Sequence, residues 1–340
     1  MKILMVTDAW RPQVNGVVHT LEHLTEALKP LDVAVDFLTP LEYRTLPMPT
    51  YPDIRLALTK PARVARRIDA ARADHVHIVT EGPLGMMARR LCMARRQPFT
   101  TSYHTRFPEY VSARVPMPEA WAYGWLRRFH NAGSGCLVAT QSLADDLSSR
   151  GFTNLRPWTR GVDTSLFRPD RRRDLGLPRP IFLSVGRVAV EKGLPAFLDL
   201  DLPGSKLVVG TGPELVRLKA RYPRAHFWGY RPNEELADIY ASADVFVFPS
   251  RTDTFGNVII EALASGTPVA AFPVTGPVDI IGDGIGGVVS EDLRDAALRA
   301  LDVDRSAARV RAGRYTWAEC ARLFMDTVRE AHAGKLAMAA

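Results

Sequence analysis

Two carboxylates, Asp253 and Glu261, stand eight positions apart in the stretch Ser250-Arg-Thr-Asp-Thr-Phe-Gly-Asn-Val-Ile-Ile-Glu261, with the turn Thr254-Phe255-Gly256 between them. The apolar run Val245–Phe248 precedes them and Gly266-Thr-Pro268 follows. This pattern predicts a strand ending near Pro249 and a helix from about Gly256 through Ala264. The first turn of such a helix offers N–H groups at Phe255, Gly256 and Asn257 to an anion, and a glycine lets the anion come close. Glu261, more than one turn in, can accept hydrogen bonds from a diol beside that anion. Asp253, in the loop before the helix, can face a second diol. Plainer roles stay open, with Asp253 as a helix N-cap and Glu261 as a solvated surface residue.

Further polar groups stand where apolar runs end. Gly186-Arg187 and Glu191-Lys192-Gly193 follow the run Pro180–Val185. Two cations five apart, flanked by glycines, can converge on a diphosphate, or can be two exposed loop cations. Val209-Gly-Thr-Gly212 places Gly210 in a strand-to-helix turn. A dinucleotide fingerprint would need glycine at 215, which is Leu215, so the turn reads as a close-approach loop instead. Asn15-Gly16-Val17 has the composition of an anion nest or of a simple turn. Ser102-Tyr-His-Thr-Arg106 puts His104 at a strand's carboxyl end, as a polar contact or a structural histidine. Glu81-Gly-Pro83 is another strand-end turn carrying an acid.

The elements that must position these residues alternate. Lys2–Thr7, Val33–Leu38, His75–Val79, Phe99–Tyr103 and Cys136–Ala139 read as strands, with helical spacing between them, as at Val17, Leu21, Leu24 and Leu28. A Pro/Arg-rich boundary, Phe167–Arg173, precedes a second series: Pro180–Val185, Lys206–Gly210, His226–Trp228, Val245–Phe248 and Pro268–Phe272. Alternation of this kind predicts two α/β domains of parallel, doubly wound sheet with a cleft between them. The 340 residues suit two domains, and 46% apolar content suits packed cores. No apolar run approaches a membrane span, and the amino terminus reads as a strand rather than a signal peptide. Cys92, Cys136 and Cys320 are scattered without metal or disulfide spacing, which fits a reducing cytosol.

Together, Pro12-Gln-Val-Asn-Gly-Val-Val18, Ser102-Tyr-His-Thr-Arg-Phe107, Gly161-Val-Asp-Thr164, Gly186-Arg187 with Glu191-Lys-Gly193, Val209-Gly-Thr-Gly212 and the Ser250–Ala270 stretch occur in one order along nearly the whole chain. In this the sequence resembles the retaining, nucleotide-sugar-dependent glycosyltransferases of family 4. The resemblance implies a GT-B fold: an acceptor-binding Rossmann-like domain over 1–165, a nucleotide-sugar-binding one over 166–313, and a helix near 314–330 crossing back to the first. It implies that Arg187 and Lys192 bind the donor diphosphate and stabilise the leaving phosphate. Gly16, Gly186, Gly210, Thr254 and the Phe255-Gly256 amides would approach the donor, with the base held around Phe227–Tyr230. Glu261 would grip the ribose, Asp253 the transferred sugar, and His104 the sugar near O6 or the reacting centre. The family's acid pair is Glu-x7-Glu, whereas this chain has Asp-x7-Glu, shorter by one methylene, or about 1.5 Å. Transfer of this kind is described as a front-face reaction without a protein nucleophile. No cofactor is implied, and the cations can take the place of a metal.

Charge directs attention to the acceptor. Residues 1–163 carry 21 Lys/Arg against 15 Asp/Glu, and residues 164–340 carry 23 against 22. Within residues 60–128 there are 13 basic and 5 acidic side chains. Arg89–Arg96 and Met117–Arg128 mix arginines with Trp121, Tyr123 and Trp125, which suits an anionic membrane interface, or else solvated arginines over a core. The resemblance leans toward bacterial enzymes that glycosylate lipids, such as diacylglycerol glucosyl- or glucuronosyltransferases and phosphatidylinositol mannosyltransferases. The expected protein is therefore a cytoplasmic enzyme peripheral on the inner face of the membrane. It would take a nucleotide-sugar donor, a UDP-sugar preferred and GDP-mannose the alternative, and a lipid acceptor such as diacylglycerol. A nucleotide-sugar epimerase would leave the basic aromatic segment without a role. A nucleic-acid binder would need basic residues in both halves, and the second half is nearly neutral.

Overall fold

Lys2–Val6, buried from its second residue on, is the first of fourteen strands among the described residues of the computed structural model, which are 1–13, 15–48, 51–112 and 118–339. The chain runs β1 (Lys2–Val6), α1 (Gly16–Leu28), β2 (Ala34–Leu38), β3 (Arg44–Met48), β4 (Tyr51–Leu58), α2 (Pro61–Ala71), β5 (His75–Ile78), α3 (Pro83–Ala94), β6 (Phe99–Ser102), α4 (Phe107–Ser112), α5 (Glu119–His130), β7 (Gly135–Val138), α6 (Gln141–Ser149) and β8 (Leu155–Pro157). It continues with β9 (Ile181–Val185), α7 (Leu194–Leu198), β10 (Ser205–Val209), α8 (Leu215–Arg221), β11 (His226–Gly229), α9 (Asn233–Ser242), β12 (Val245–Phe248), α10 (Asn257–Ala264), β13 (Val269–Ala271), α11 (Pro277–Ile281), β14 (Gly287–Val289), α12 (Leu293–Arg299), α13 (Arg305–Ala312) and α14 (Trp317–Ala339).

The chain divides into two units, Met1–Arg160 with Trp317–Ala340, and Gly161–Thr316. Each is built on a six-stranded parallel sheet. The first has the order β2-β1-β5-β6-β7-β8 and the second β11-β10-β9-β12-β13-β14. Helices cover both faces, so the central strands are apolar without alternation, as in the fully buried Val245–Phe248. Strand order reverses between β1 and β5 in one sheet and between β9 and β12 in the other. Ligands of doubly wound sheets bind beyond the carboxyl ends of the strands at such a switch point.

Some elements differ from the sequence expectation. The antiparallel hairpin β3–β4 and the strands β8 and β14 were not signalled, because short or edge strands carry little periodicity. The crossing helix begins at Trp317, not Arg314, and continues to Ala339. Phe167–Arg173 lies within the second unit, where Arg309 donates to the Thr164 and Phe167 carbonyls. In the first unit, Cys320, Ala321, Phe324, Met325 and Val328 of α14 pack with Leu21, Leu24 and Leu28 of α1 and with Trp158. The Trp158 indole donates to the Cys320 carbonyl at 3.1 Å.

Candidate functional site

Beyond the carboxyl ends of β9 and β12 the second unit gathers most of the polar residues singled out in the sequence. Gly186 and Arg187 leave β9, and Val190–Lys192 forms a single 3-10 turn. Thr252 Oγ1, in the loop after β12, donates to the Glu191 carbonyl at 3.3 Å, and Ser250 Oγ does so at 3.5 Å. These bonds hold the two loops together. Gly186, Arg187, Lys192, Phe248, Pro249 and Ser250 line one small pocket. At its edge Lys192 Nζ donates to Asp253 Oδ1 at 2.5 Å. Asp253 is therefore not a helix N-cap; that position is Gly256, in the left-handed region and without a side chain to cap α10. Asp253 Oδ2 is buried and has no partner among the described residues. A buried carboxylate oxygen left so is an acceptor awaiting a donor group.

Glu261 lies in the second turn of α10 and is not a solvated surface residue. Tyr240 of α9, wholly buried, donates to Glu261 Oε2 at 3.0 Å. Burial pushes the Glu261 carboxyl up to about 7, against the lowering effect of the tyrosine bond. Phe255 is buried against Tyr315, with ring centroids 5.7 Å apart, so its main chain rather than its ring is presented. Thr254 is also buried. A Cβ on Gly210 would lie 1.8 Å from the Gly186 carbonyl oxygen; that glycine serves the approach of two strand-end turns to each other. Tyr230 follows β11 and is 61% exposed.

Gly16 and His104 belong to the first unit. Gly16 is the first residue of α1, capped by Asn15, whose side-chain oxygen accepts from the Val17 and Val18 amides at 3.0 Å. That capping fills part of the proposed anion nest. Val14 of the same motif lies outside the described residues. His104 follows β6, and its ring meets Trp158 edge-on at 5.6 Å. Arg160, buried over the Trp158 ring, donates to His104 Nδ1 at 3.5 Å. Burial first, then the neighbouring Arg160 charge, hold the His104 pKa well below its ordinary value, so the imidazole is neutral. Sequence reasoning missed Tyr240 and Arg160, which are distant in sequence from the groups they touch.

The basic aromatic segment is partly corrected. Trp121 is 75% exposed and Trp125 39% exposed, and with exposed Arg128 they follow helical spacing on one face of α5. Tyr123 instead is buried, and its hydroxyl donates to Glu109 at 2.6 Å. Arg89 binds the Arg128 and Phe129 carbonyls and so ties α3 to α5. Residues 113–117 lie outside the described residues. No helix among the described residues is long and apolar enough to cross a membrane.

Two family models match the chain: Glycosyltransferase Family 4 over residues 14–166 and Glycosyl transferases group 1 over residues 179–303. The chain is 32% identical over 307 residues to the GDP-mannose-dependent alpha-mannosyltransferase of Mycobacterium tuberculosis, covering 83% of this chain and 81% of that protein. It is 27% identical over 346 residues to the alpha-monoglucosyldiacylglycerol synthase of Streptococcus pneumoniae, covering 88% and 78%. Among solved structures, sucrose-phosphate synthase from Thermosynechococcus elongatus superposes with a TM-score of 0.77 at 23% identity, over 98% of this chain and 99% of that one.

Proposed function

The chain belongs to glycosyltransferase family 4, with the GT-B fold, and on that premise we propose that it transfers a hexose or hexuronic acid from a nucleoside diphosphate sugar to a membrane lipid such as diacylglycerol, with retention and without a metal. The observation that carries the reading is the Lys192–Asp253 pair beside Arg187, with Asp253 Oδ2 left unfilled. A diphosphate seated at the mouth of this small pocket draws Lys192 and Arg187, whose charges offset the negative charge that grows on the leaving phosphate. The uncapped first turn of α10 adds N–H groups for the same anion. Glu261 accepts from the ribose hydroxyls, and Asp253 Oδ2 accepts from the transferred sugar. His104, kept neutral, is assigned the sugar contact that the family resemblance implies. In the front-face step the bond from C1 to the phosphate oxygen breaks as the acceptor oxygen bonds to C1 on the same face. The acceptor's proton passes to the departing phosphate.

A lipid acceptor is supported by the glucosyldiacylglycerol synthase relative and by the exposed Trp121, Trp125 and Arg128 face, which suits a peripheral position on the inner membrane face. The mannosyltransferase relative favours a second reading in which the donor is GDP-mannose rather than a UDP-hexose. Incubation with UDP-glucose, UDP-glucuronate, UDP-galactose or GDP-mannose and a lipid extract, with products identified by mass, decides between them. One donor is expected to give a glycolipid. A sugar isomer formed from donor alone would instead indicate an epimerase.

A further inference from the structure

At the switch point of the first unit, beyond β1 and β5, two buried ionisable residues hold a third that is left accessible. Asp8, 5% exposed, accepts from the Leu84 amide at 2.9 Å, the Gly85 amide at 3.3 Å and Thr80 Oγ1 at 3.1 Å. A Cβ on Gly82 would lie 2.4 Å from Asp8 Cγ, so that glycine is the seat of the carboxylate. The turn Thr80–Gly85 is thereby fixed, and Glu81 stands in it. From the other side His130 of α5, fully buried, meets Glu81 Oε1 through Nε2 at 3.1 Å and Thr101 Oγ1 through Nδ1 at 2.9 Å. Burial opposes a charge on His130, but Cys136 and Glu81 beside it shift its pKa upward. The Glu81 side chain nevertheless remains 21% exposed. The buried Tyr103 hydroxyl nearby has no partner among the described residues, and its ring lies 5.6 Å from that of His130.

Buried ionisable groups cost stability unless paired, and a purely structural turn needs only the Asp8 contacts. Fixing the main chain of Glu81 by one such group and its carboxylate by another is the arrangement of a preorganised recognition residue. Its place at the carboxyl end of the central strands is where a ligand of this sheet binds. We propose that Glu81 is an acceptor-recognising residue, whose carboxylate accepts hydrogen bonds from the free hydroxyl or hydroxyls of a neutral glycerol or polyol head group, with Asp8 and His130 as positioning residues. The inference rests on reading the first unit as the one that binds the acceptor. The negative charge selects against an acceptor bearing a phosphate or carboxylate at this point. Glu81 takes no proton and forms no bond.

Saturation-transfer NMR with glycerol and myo-inositol as probes tests this, using the full chain and its Glu81→Gln, Glu81→Ala and His130→Gln variants. Binding of UDP and GDP and the melting temperature are measured in parallel. The wild type is expected to show polyol signals that fall at least about fivefold in both Glu81 variants and by less in His130→Gln, with nucleotide affinity unchanged. In transfer assays with diacylglycerol vesicles, acceptor KM rises about tenfold or more in Glu81→Gln while donor KM holds. Equal polyol signals in wild type and Glu81→Gln, or none in the wild type, would overturn the proposal. Should Glu81→Ala fail to fold, the shape-conserving Glu81→Gln still decides. Failure of the wild type to bind UDP or GDP would count against glycosyl transfer itself, and the polyol arm would still decide the role of Glu81.

Discussion

Glu261 shows how burial turns one residue into a pH-dependent group. Its carboxyl titrates at about 7 in the folded chain against an ordinary value of 4.5. The folded state therefore favours the protonated acid; this contribution is fully present below pH 4.5 and is lost as pH rises through 7. Glu261→Gln, a neutral isostere that Tyr240 can still bond, should gain about 2.5 kcal/mol relative to wild type between pH 5 and pH 8 by chemical denaturation. Nucleotide affinity should move the other way, strengthening in the wild type as the carboxylate ionises and staying flat in Glu261→Gln. At Asp253, the Lys192 pair predicts a split effect. Asp253→Asn frees Lys192 for a diphosphate, so UDP or GDP should bind at least as tightly, while kcat falls about tenfold or more. Equal losses in nucleotide affinity and kcat would show that Asp253 acts elsewhere. Both acids could be picked out from their spacing around a glycine turn. The Lys192 partnership could not, because 61 residues separate the pair and their loops meet only in the folded chain, where Thr252 and Ser250 bond the Glu191 carbonyl.

Elements with strong apolar periodicity were readable, and those held by tertiary contacts were not. The run Val245–Phe248 was expected as a strand over the same residues that form β12. The hairpin β3–β4 and the three-residue strands β8 and β14 gave no such signal, being defined by pairing with neighbours. In α5 the aromatic residues looked alike in sequence, yet helix geometry sends Tyr123 inward and leaves Trp121 and Trp125 outside. The crossing helix α14 is anchored by Phe324, wholly buried against Trp158 and His77. Phe324→Ala should cost about 3–5 kcal/mol in urea denaturation. A loss under 1 kcal/mol would show that α14 is not integral to the first unit's core.

For the molecule as a whole, the net charge of +7 resides mainly in the first half, beside the exposed Trp121, Trp125 and Arg128 face. Binding to phosphatidylglycerol vesicles should weaken as salt rises, and Trp121→Ala with Trp125→Ala should reduce it about tenfold or more. Salt-insensitive binding unaffected by both changes would remove the membrane role of this face. The anomeric configuration of a purified product tests most directly the claim that the second unit moves a sugar from a nucleotide to a lipid with retention. The donor is a 13C-labelled UDP-glucose or GDP-mannose, both α-linked, and the acceptor is diacylglycerol in vesicles; the product is read from its one-bond C1–H1 coupling by NMR. An α-linked glycolipid is the expected result, and a β-linked glycolipid, or free sugar with no glycolipid from either donor, would contradict it.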